Sequence, residues 1–229
     1  EQKPIIILNL KSYREGMGDH AFQILEVVED VAGEFRRINF AVAPNILYLR
    51  EFARSKTLAM IFAQHADPVM FGAYTGHLPI PALKLEKIDG VILNHSEKRI
   101  PYSSLTEGVK LAKEAGLHSC ICGGTLDEIR KICQLTPTYV AFEPPELIGT
   151  GKSVSRMKPE ALKKSVEIVR DTTGGSSIPI CGAGISSHQD VALAIQFGAL
   201  GILVASAFVK SREKKEKLRS FAVAIEDNL

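Results

Sequence analysis

Eight short apolar runs recur along the chain, each closed by polar residues or by Gly or Pro, and this repeat limits the fold more than any other feature. They are Ile5 to Leu8, Phe40 to Ala43, Ala59 to Ala63, Val91 to Leu93, Leu117 to Cys122, Tyr139 to Phe142, Ile178 to Cys181 and Gly201 to Val204. Each is apolar nearly throughout, the pattern of parallel strands covered on both faces. Helix-like stretches lie between them. The clearest is Pro159 to Arg170, where proline suits the first helical turn and Leu162, Val166 and Val169 recur at i, i+4 and i+7. Others run over about Phe22 to Ala32, Leu105 to Ala115, Leu126 to Cys133, His188 to Phe197 and Glu213 to Ile225. Gly116 and Gly198 follow two of these helices, where a left-handed C-cap is wanted. Strands alternating with helices, with no linker or break in composition, predict an α/β fold: one closed (β/α)8 barrel, a single domain over residues 1–229.

Composition narrows the partners. Lys plus Arg is 28 against 26 for Asp plus Glu, so a net charge of +2 supplies no global field to attract nucleic acid or an anionic membrane, and neither is expected as a partner. The basic cluster Lys210, Arg212, Lys214, Lys215 and Lys217 is interleaved with Glu213 and Glu216 and reads as a solvated helix face. No apolar run approaches the roughly 18 residues that span a bilayer, and no secretory leader pattern precedes the first run. Four cysteines are too few for a disulfide scaffold at this length; Cys120, Cys122, Cys133 and Cys181 are expected reduced and mostly buried, in a cytoplasmic protein. Cys120 and Cys122 alternate in an apolar strand and are expected to face opposite ways, which would defeat a shared metal site.

In a (β/α)8 barrel the reactive groups sit at the C-terminal ends of the strands, so the residues that follow each run are the informative ones. Asn9 and Lys11 follow the first run, Gln64 and His65 the third, and Asn94, His95, Ser96 and Glu97 the fourth. The sixth ends in Glu143, whose following Pro144 and Pro145 stiffen the chain and fix where the carboxylate points. A lysine, a histidine and a carboxylate from three strands thus converge on one rim. Each alone has a plain structural reading; their convergence is what points to chemistry.

The segment Glu146 to Ser153 has prolines before it and small residues at its tip, the make-up of a lid whose glycine amides approach an anion. Gly182-Ala183-Gly184-Ile185-Ser186-Ser187 hints at a dinucleotide fingerprint, but Ser187 occupies the third glycine position and the segment lies late in the chain. It reads better as a phosphate cradle after the seventh strand, with Ala205-Ser206 after the eighth; barrels commonly bind phosphate between these loops.

Five segments occur in a familiar order: Asn9-Leu10-Lys11, Gly72-Ala73-Tyr74-Thr75-Gly76, Asn94-His95-Ser96-Glu97-Lys98-Arg99, Ala141-Phe142-Glu143-Pro144 and Ile148-Gly149-Thr150-Gly151-Lys152. Together they resemble the triosephosphate isomerases over essentially the whole chain, and the departures resemble that family's shorter, archaeal branch. Pro144-Pro145-Glu146 opens the lid where Pro-Val-Trp is usual, and Cys181-Gly182-Ala183-Gly184 replaces Tyr-Gly-Gly-Ser. Without that tyrosine and serine the lid must be held by other contacts. Ala205-Ser206 stands where two glycines are usual, and Gly124 where a glutamate is common, which removes an expected ion pair on the fifth loop.

The resemblance implies an intramolecular aldose-ketose isomerase of glycolysis and gluconeogenesis that interconverts dihydroxyacetone phosphate and D-glyceraldehyde 3-phosphate through an enediol(ate), without cofactor or metal. It implies Glu143 as the base, His95 as the group that polarises the carbonyl, neutral as is known for this family, and Lys11 as fixed positive charge with Asn9 beside it. Ser96 and Glu97 would support these groups, Glu97 by an ion pair to Lys11. Ile148, Gly149, Gly182, Ala183, Gly184, Ala205 and Ser206 would hold the phosphate. The segment His65 to His77 would place Thr75 beside a neighbouring subunit's Asn9 and Lys11, making a homodimer the smallest functional unit, with a tetramer suggested by the archaeal-like shortening. Two other readings compete: another barrel enzyme acting on a phosphorylated metabolite, which leaves the lysine, histidine and glutamate set unexplained, and a silent sugar-phosphate-binding barrel, which has no need of a base aimed at carbon.

Overall fold

A computed structural model describes residues 2–229. Eight parallel strands close into a barrel in chain order: β1 (Ile5–Asn9), β2 (Asn39–Ala43), β3 (Met60–Ala63), β4 (Gly90–Leu93), β5 (His118–Gly123), β6 (Tyr139–Phe142), β7 (Ile178–Cys181) and β8 (Gly201–Val204). Closure is through β1, whose Ile5 pairs with Asn39 on one side and Gly201 on the other. All eight predicted runs are strands, with ends shifted by one residue at most.

Alternation along each strand divides the apolar residues between two cores. Ile5, Ile7, Ala41, Phe62, Ile92, Tyr139, Ala141 and Ile180 fill the barrel. Their neighbours Ile6, Leu8, Val42, Ile61, Val91, Val140, Phe142 and Ile202 pack outwards against the helices. Both faces are therefore dry, which is why the runs are apolar throughout. Each fully buried Ile, Leu or Phe contributes about 1.5–3 kcal/mol.

The helices are α1 (Asp19–Glu34), α2 (Ile46–Arg54), α3 (Ile80–Leu85), α4 (Tyr102–Glu114), α5 (Leu126–Cys133), α6 (Val154–Met157), α7 (Pro159–Thr173), α8 (His188–Gln196), α9 (Ser206–Val209) and α10 (Lys214–Glu226). Their ends follow local chemistry. Asn45 caps α2 by accepting the Leu47 N–H at 3.1 Å, and Thr125 caps α5 through the Glu128 N–H at 3.2 Å. Helix α7 begins on Pro159 and stops at Gly174, in the left-handed region at φ 58°. Helices α2 and α3 and the single turns α6 and α9 lie outside the stretches that the sequence predicts. Ile46 and Leu47 of α2 are exposed, so its apolar residues do not trace one buried stripe, and α3 has only six residues.

One expectation is corrected. Cys120 and Cys122 both point into the barrel, because residues two apart on a strand share a face. All four cysteines are free and buried. Among the described residues no group of three or more His, Cys, Asp or Glu could hold a metal ion, and no helix is long and apolar enough to cross a membrane. The basic cluster is tied down in part: Lys215 pairs with Asp30, and Lys217 donates to the Ser186 carbonyl.

Candidate active site

A cleft of about 370 Å³ opens at the C-terminal ends of the strands. It gathers Asn9, Lys11, His95, Glu143, Ile148, Gly149, Ala183, Gly184, Ala205 and Ser206, all singled out from the sequence. Gly182, expected among them, does not line it. That glycine lies against Glu143 instead, and a Cβ there would overlap the glutamate side chain. Thr75 is exposed on its own loop, away from this cleft, and Ser96 does not line it. Ile185 and Ser186 of the expected phosphate cradle also line the cleft, together with Tyr13, Leu203, Val204 and Ala207, which the sequence did not single out as site residues. They stand within two residues of predicted ones, which is the signal that could have found them.

Lys11 is held in a strained conformation, φ 49°, by bonds on both sides of it. Its N–H donates to Asn9 Oδ1 at 3.0 Å, and its carbonyl accepts from Gln64 Nε2 at 3.0 Å. The same Gln64 nitrogen donates to the Ala43 carbonyl at 2.9 Å, so the ends of β1, β2 and β3 are stitched by one side chain. With its oxygen occupied, the Asn9 amide keeps its NH2 free to donate. Lys11 Nζ meets Glu97 Oε1 at 2.8 Å; the lysine side chain is 11% exposed and the glutamate 55%.

His95 is buried at the end of β4. Its Nδ1 accepts the Glu97 backbone N–H at 3.1 Å. A ring nitrogen that accepts carries no proton, so the neutral ring bears its proton on Nε2, which lies 3.4 Å from Glu143 Oε2.

Glu143 follows β6, anchored by its N–H to the Gly123 carbonyl at 2.8 Å. The side chain is buried and Oε2 has no hydrogen-bond partner. Burial pushes its carboxyl above the ordinary glutamate value; His95, Lys11, the Cys122 thiol and Arg99 oppose that without cancelling it. Cys122 shares the barrel's inner face with Cys120, and the pairing of β5 with β6 brings it beside Glu143. The neighbouring Cys120, burial and the Glu143 charge hold the Cys122 thiol protonated.

On the fifth loop the carboxylate absent at Gly124 is supplied one helical turn later. Glu128 Oε2 accepts the Gly124 N–H at 2.6 Å and pairs with Arg99 at 3.4 Å. Beyond Glu143 the chain makes a 3-10 turn, Pro145–Leu147, whose Glu146 pairs with Lys158 across the predicted lid. Gly149 and Gly151 sit at φ 72° and 71°, and Thr150 closes the tip by donating to the Leu147 carbonyl at 2.8 Å. The lid is held without a tyrosine or serine from the β7 loop at the usual positions. Val154 N–H donates to the Ala183 carbonyl at 3.3 Å, and Gly184, at φ 68°, lies so close under the Lys152 carbonyl that a Cβ would collide with it.

A buried, underbonded carboxylate facing a neutral imidazole, with a lysine beside them, can move a proton between carbon and oxygen. The comparisons agree with this chemistry. The family model for triosephosphate isomerase matches residues 4–223. A triosephosphate isomerase of Caldivirga maquilingensis is 42% identical over 96% of both chains. One of Methanosarcina acetivorans is 39% identical over 94% of this chain and 96% of its own, and one of Methanocaldococcus jannaschii 35% over 94% and 97%. The barrel, the convergence on its rim and this full-length similarity together show that the chain belongs to the triosephosphate isomerase family.

Proposed function

We propose that Glu143, His95 and Lys11 carry the isomerisation of dihydroxyacetone phosphate and D-glyceraldehyde 3-phosphate in this barrel, which we read as one catalytic domain over residues 1–229. The observation that carries the assignment is the unpartnered Oε2 of Glu143, buried beside the His95 Nε2 proton. The carboxylate takes the proton from the carbon next to the carbonyl. His95 Nε2–H donates to the carbonyl oxygen, and the bond electrons settle into an enediolate between the two carbons. Lys11 and the Asn9 amide stabilise that charge. His95 then gives its Nε2 proton to that oxygen and takes the hydroxyl proton from the neighbouring one, so a proton passes between the two oxygens, and return of the carbon-derived proton from Glu143 to the other carbon completes the exchange. Glu97 orients Lys11 through their ion pair, and Ser96 supports the segment from His95 to Glu97.

The phosphate sits at the far end of the cleft, among the amides of Ile148 and Gly149 on the lid, Ala183 and Gly184 after β7, and Ala205 and Ser206 after β8. Gly182 serves the carboxylate and not the phosphate. Binding energy from this remote group is available to seat the lid and exclude water. In a coupled assay with glyceraldehyde 3-phosphate we expect fast turnover that collapses in Glu143→Gln while the fold persists. No turnover in the native protein despite binding of a phosphate analogue would instead support a silent binding barrel.

A second copy of the chain completes the site in this reading. The loop from His65 to His77 exposes Met70, Phe71 and Tyr74, and α2 exposes Ile46 and Leu47. A hollow next to the cleft, lined by Lys11, Gln64, His65, Glu97 and Lys98, is open to receive a partner's Thr75. Sedimentation at dilute concentration should give a dimer or tetramer, with activity lost on dissociation; an active monomer overturns this. The four free, buried thiols support a reducing compartment, the cytoplasm.

A further inference from the structure

Asp190 is the third residue of α8 and, at 2% exposed, one of the most deeply buried charged groups in the protein. Capping that helix uses a single oxygen. Oδ2 accepts from the N–H groups of Ser186 and Ser187 and from Ser186 Oγ, each at 3.0 Å, while Ser187 Oγ accepts the Asp190 N–H at 3.2 Å. The other side-chain partners of Asp190 come from Ser153 at the end of the lid and from the α6 turn that follows it, together the lid's far arm. Oδ1 accepts from Ser153 Oγ at 2.8 Å and meets Arg156 Nε at 2.6 Å, and the Asp190 carbonyl accepts from Ser155 Oγ at 2.9 Å. Ser153 and Ser155 are each 1% exposed, so the two serine bonds are shielded from water and do not trade freely with it, whereas Arg156 is half exposed. Burial pushes the Asp190 carboxyl up, but the donors from Ser186, Ser153 and Ser187 overcome this and hold it below the ordinary aspartate value.

The two segments joined in this way both line the cleft: the loop after β7 through Ala183, Gly184, Ile185 and Ser186, and the lid through Ile148 to Gly151. We infer that Asp190 is a positioning residue that locks the lid's far arm to the loop after β7, so that a phosphate seated on that loop fixes where the lid comes down. The inference rests on the proposed placement of the phosphate. Ser153 and Ser186 hold opposite oxygens of one carboxylate, and a displacement of the loop is passed to the arm through a rigid planar group. Gly184 beneath the Lys152 carbonyl leaves no slack between the two segments.

Ser153→Ala removes the lid-side donor and leaves every capping bond of Asp190 in place. The readout compares glyceraldehyde 3-phosphate with unphosphorylated glyceraldehyde, which has nothing to seat on the loop. We expect Ser153→Ala to lower kcat/KM for the phosphate ester by about tenfold, with turnover of glyceraldehyde unchanged within about twofold. A larger share of the ester should lose inorganic phosphate to give methylglyoxal. Asp190→Asn, which keeps the shape and weakens both sets of bonds, should show the same selectivity to a greater degree. An equal fall with both substrates overturns the inference and leaves a merely structural bond; no change with either overturns it while the isomerase reading stands. If the native protein does not prefer the phosphate ester, the phosphate placement fails first and the inference with it.

Discussion

Glu143 and Asp190 are buried to nearly the same depth, 3% and 2% exposed, on two loops of the same barrel face, yet their surroundings drive them in opposite directions. At Glu143 burial prevails: one oxygen has no partner and the carboxyl is raised. At Asp190 burial is outweighed, because both oxygens are filled by donors from Ser153, Arg156, Ser186 and Ser187, and the carboxyl is lowered. Depth alone does not decide the charge state of a buried acid; the number of donors aimed at it does. The carboxylate proposed to receive a proton from carbon is left with an open lone pair. A group that ties two segments together has none to spare.

The largest expected effect separates the two by deletion of charge. Glu143→Gln should lower turnover by about 10²–10⁴-fold and, by removing a poorly compensated buried charge, raise stability by about 1 kcal/mol. Thermal unfolding of the variant beside its kinetics checks both, and a lowered midpoint breaks the comparison at Glu143. Asp190→Ala should do the reverse to the fold, costing about 1–3 kcal/mol in urea denaturation, because it leaves the buried Ser153 hydroxyl and the part-buried donors of Ser186 and Ser187 without their acceptor. A loss under about 1 kcal/mol would show that water replaces those bonds and that the site is not a tie.

Acidification should sharpen the contrast with the smallest signal. Glu143, with its folded value raised, is penalised at neutral pH, and the penalty is relieved as pH falls through that value. The base must be ionised, so the acid limb of kcat/KM should lie above 4.5, the ordinary glutamate value. Asp190, with its folded value lowered, contributes stability that is whole above 3.8 and is lost only as pH falls below that. Stability curves of the two variants against the native protein should therefore converge with it at different pH, Glu143→Gln first. An acid limb at or under 4.5 would mean that Glu143 is not desolvated in solution.

The barrel and the meeting of three polar side chains in one cleft were legible in the sequence because both depend on strand ends. A strand with two dry faces shows as an unbroken apolar run, and Lys11, His95 and Glu143 follow such runs at once. Helix α2 was hidden because Ile46 and Leu47 are apolar but exposed, and α3 because six residues with a proline show no period. Gly182 was grouped with the phosphate loop, since nothing in its flanking residues reports the Glu143 side chain packed on it. Asp190 was invisible for a different reason. A serine followed three residues later by an aspartate reads as an ordinary helix start, and only the fold brings Ser153 and Arg156, more than thirty residues earlier, to its second oxygen.

The Gln64 carboxamide turns the shape of the barrel into a setting for charge. Because one nitrogen spans the Lys11 and Ala43 carbonyls, the lysine rides on the spacing of three successive strands and not on its own loop. Any repacking that spreads or pinches β1 to β3, even near the opposite mouth, would swing the Nζ cation relative to Glu97 and the cleft. The barrel wall thereby sets where the positive charge stands at the rim, and a substitution deep in these strands reaches the lysine without touching it.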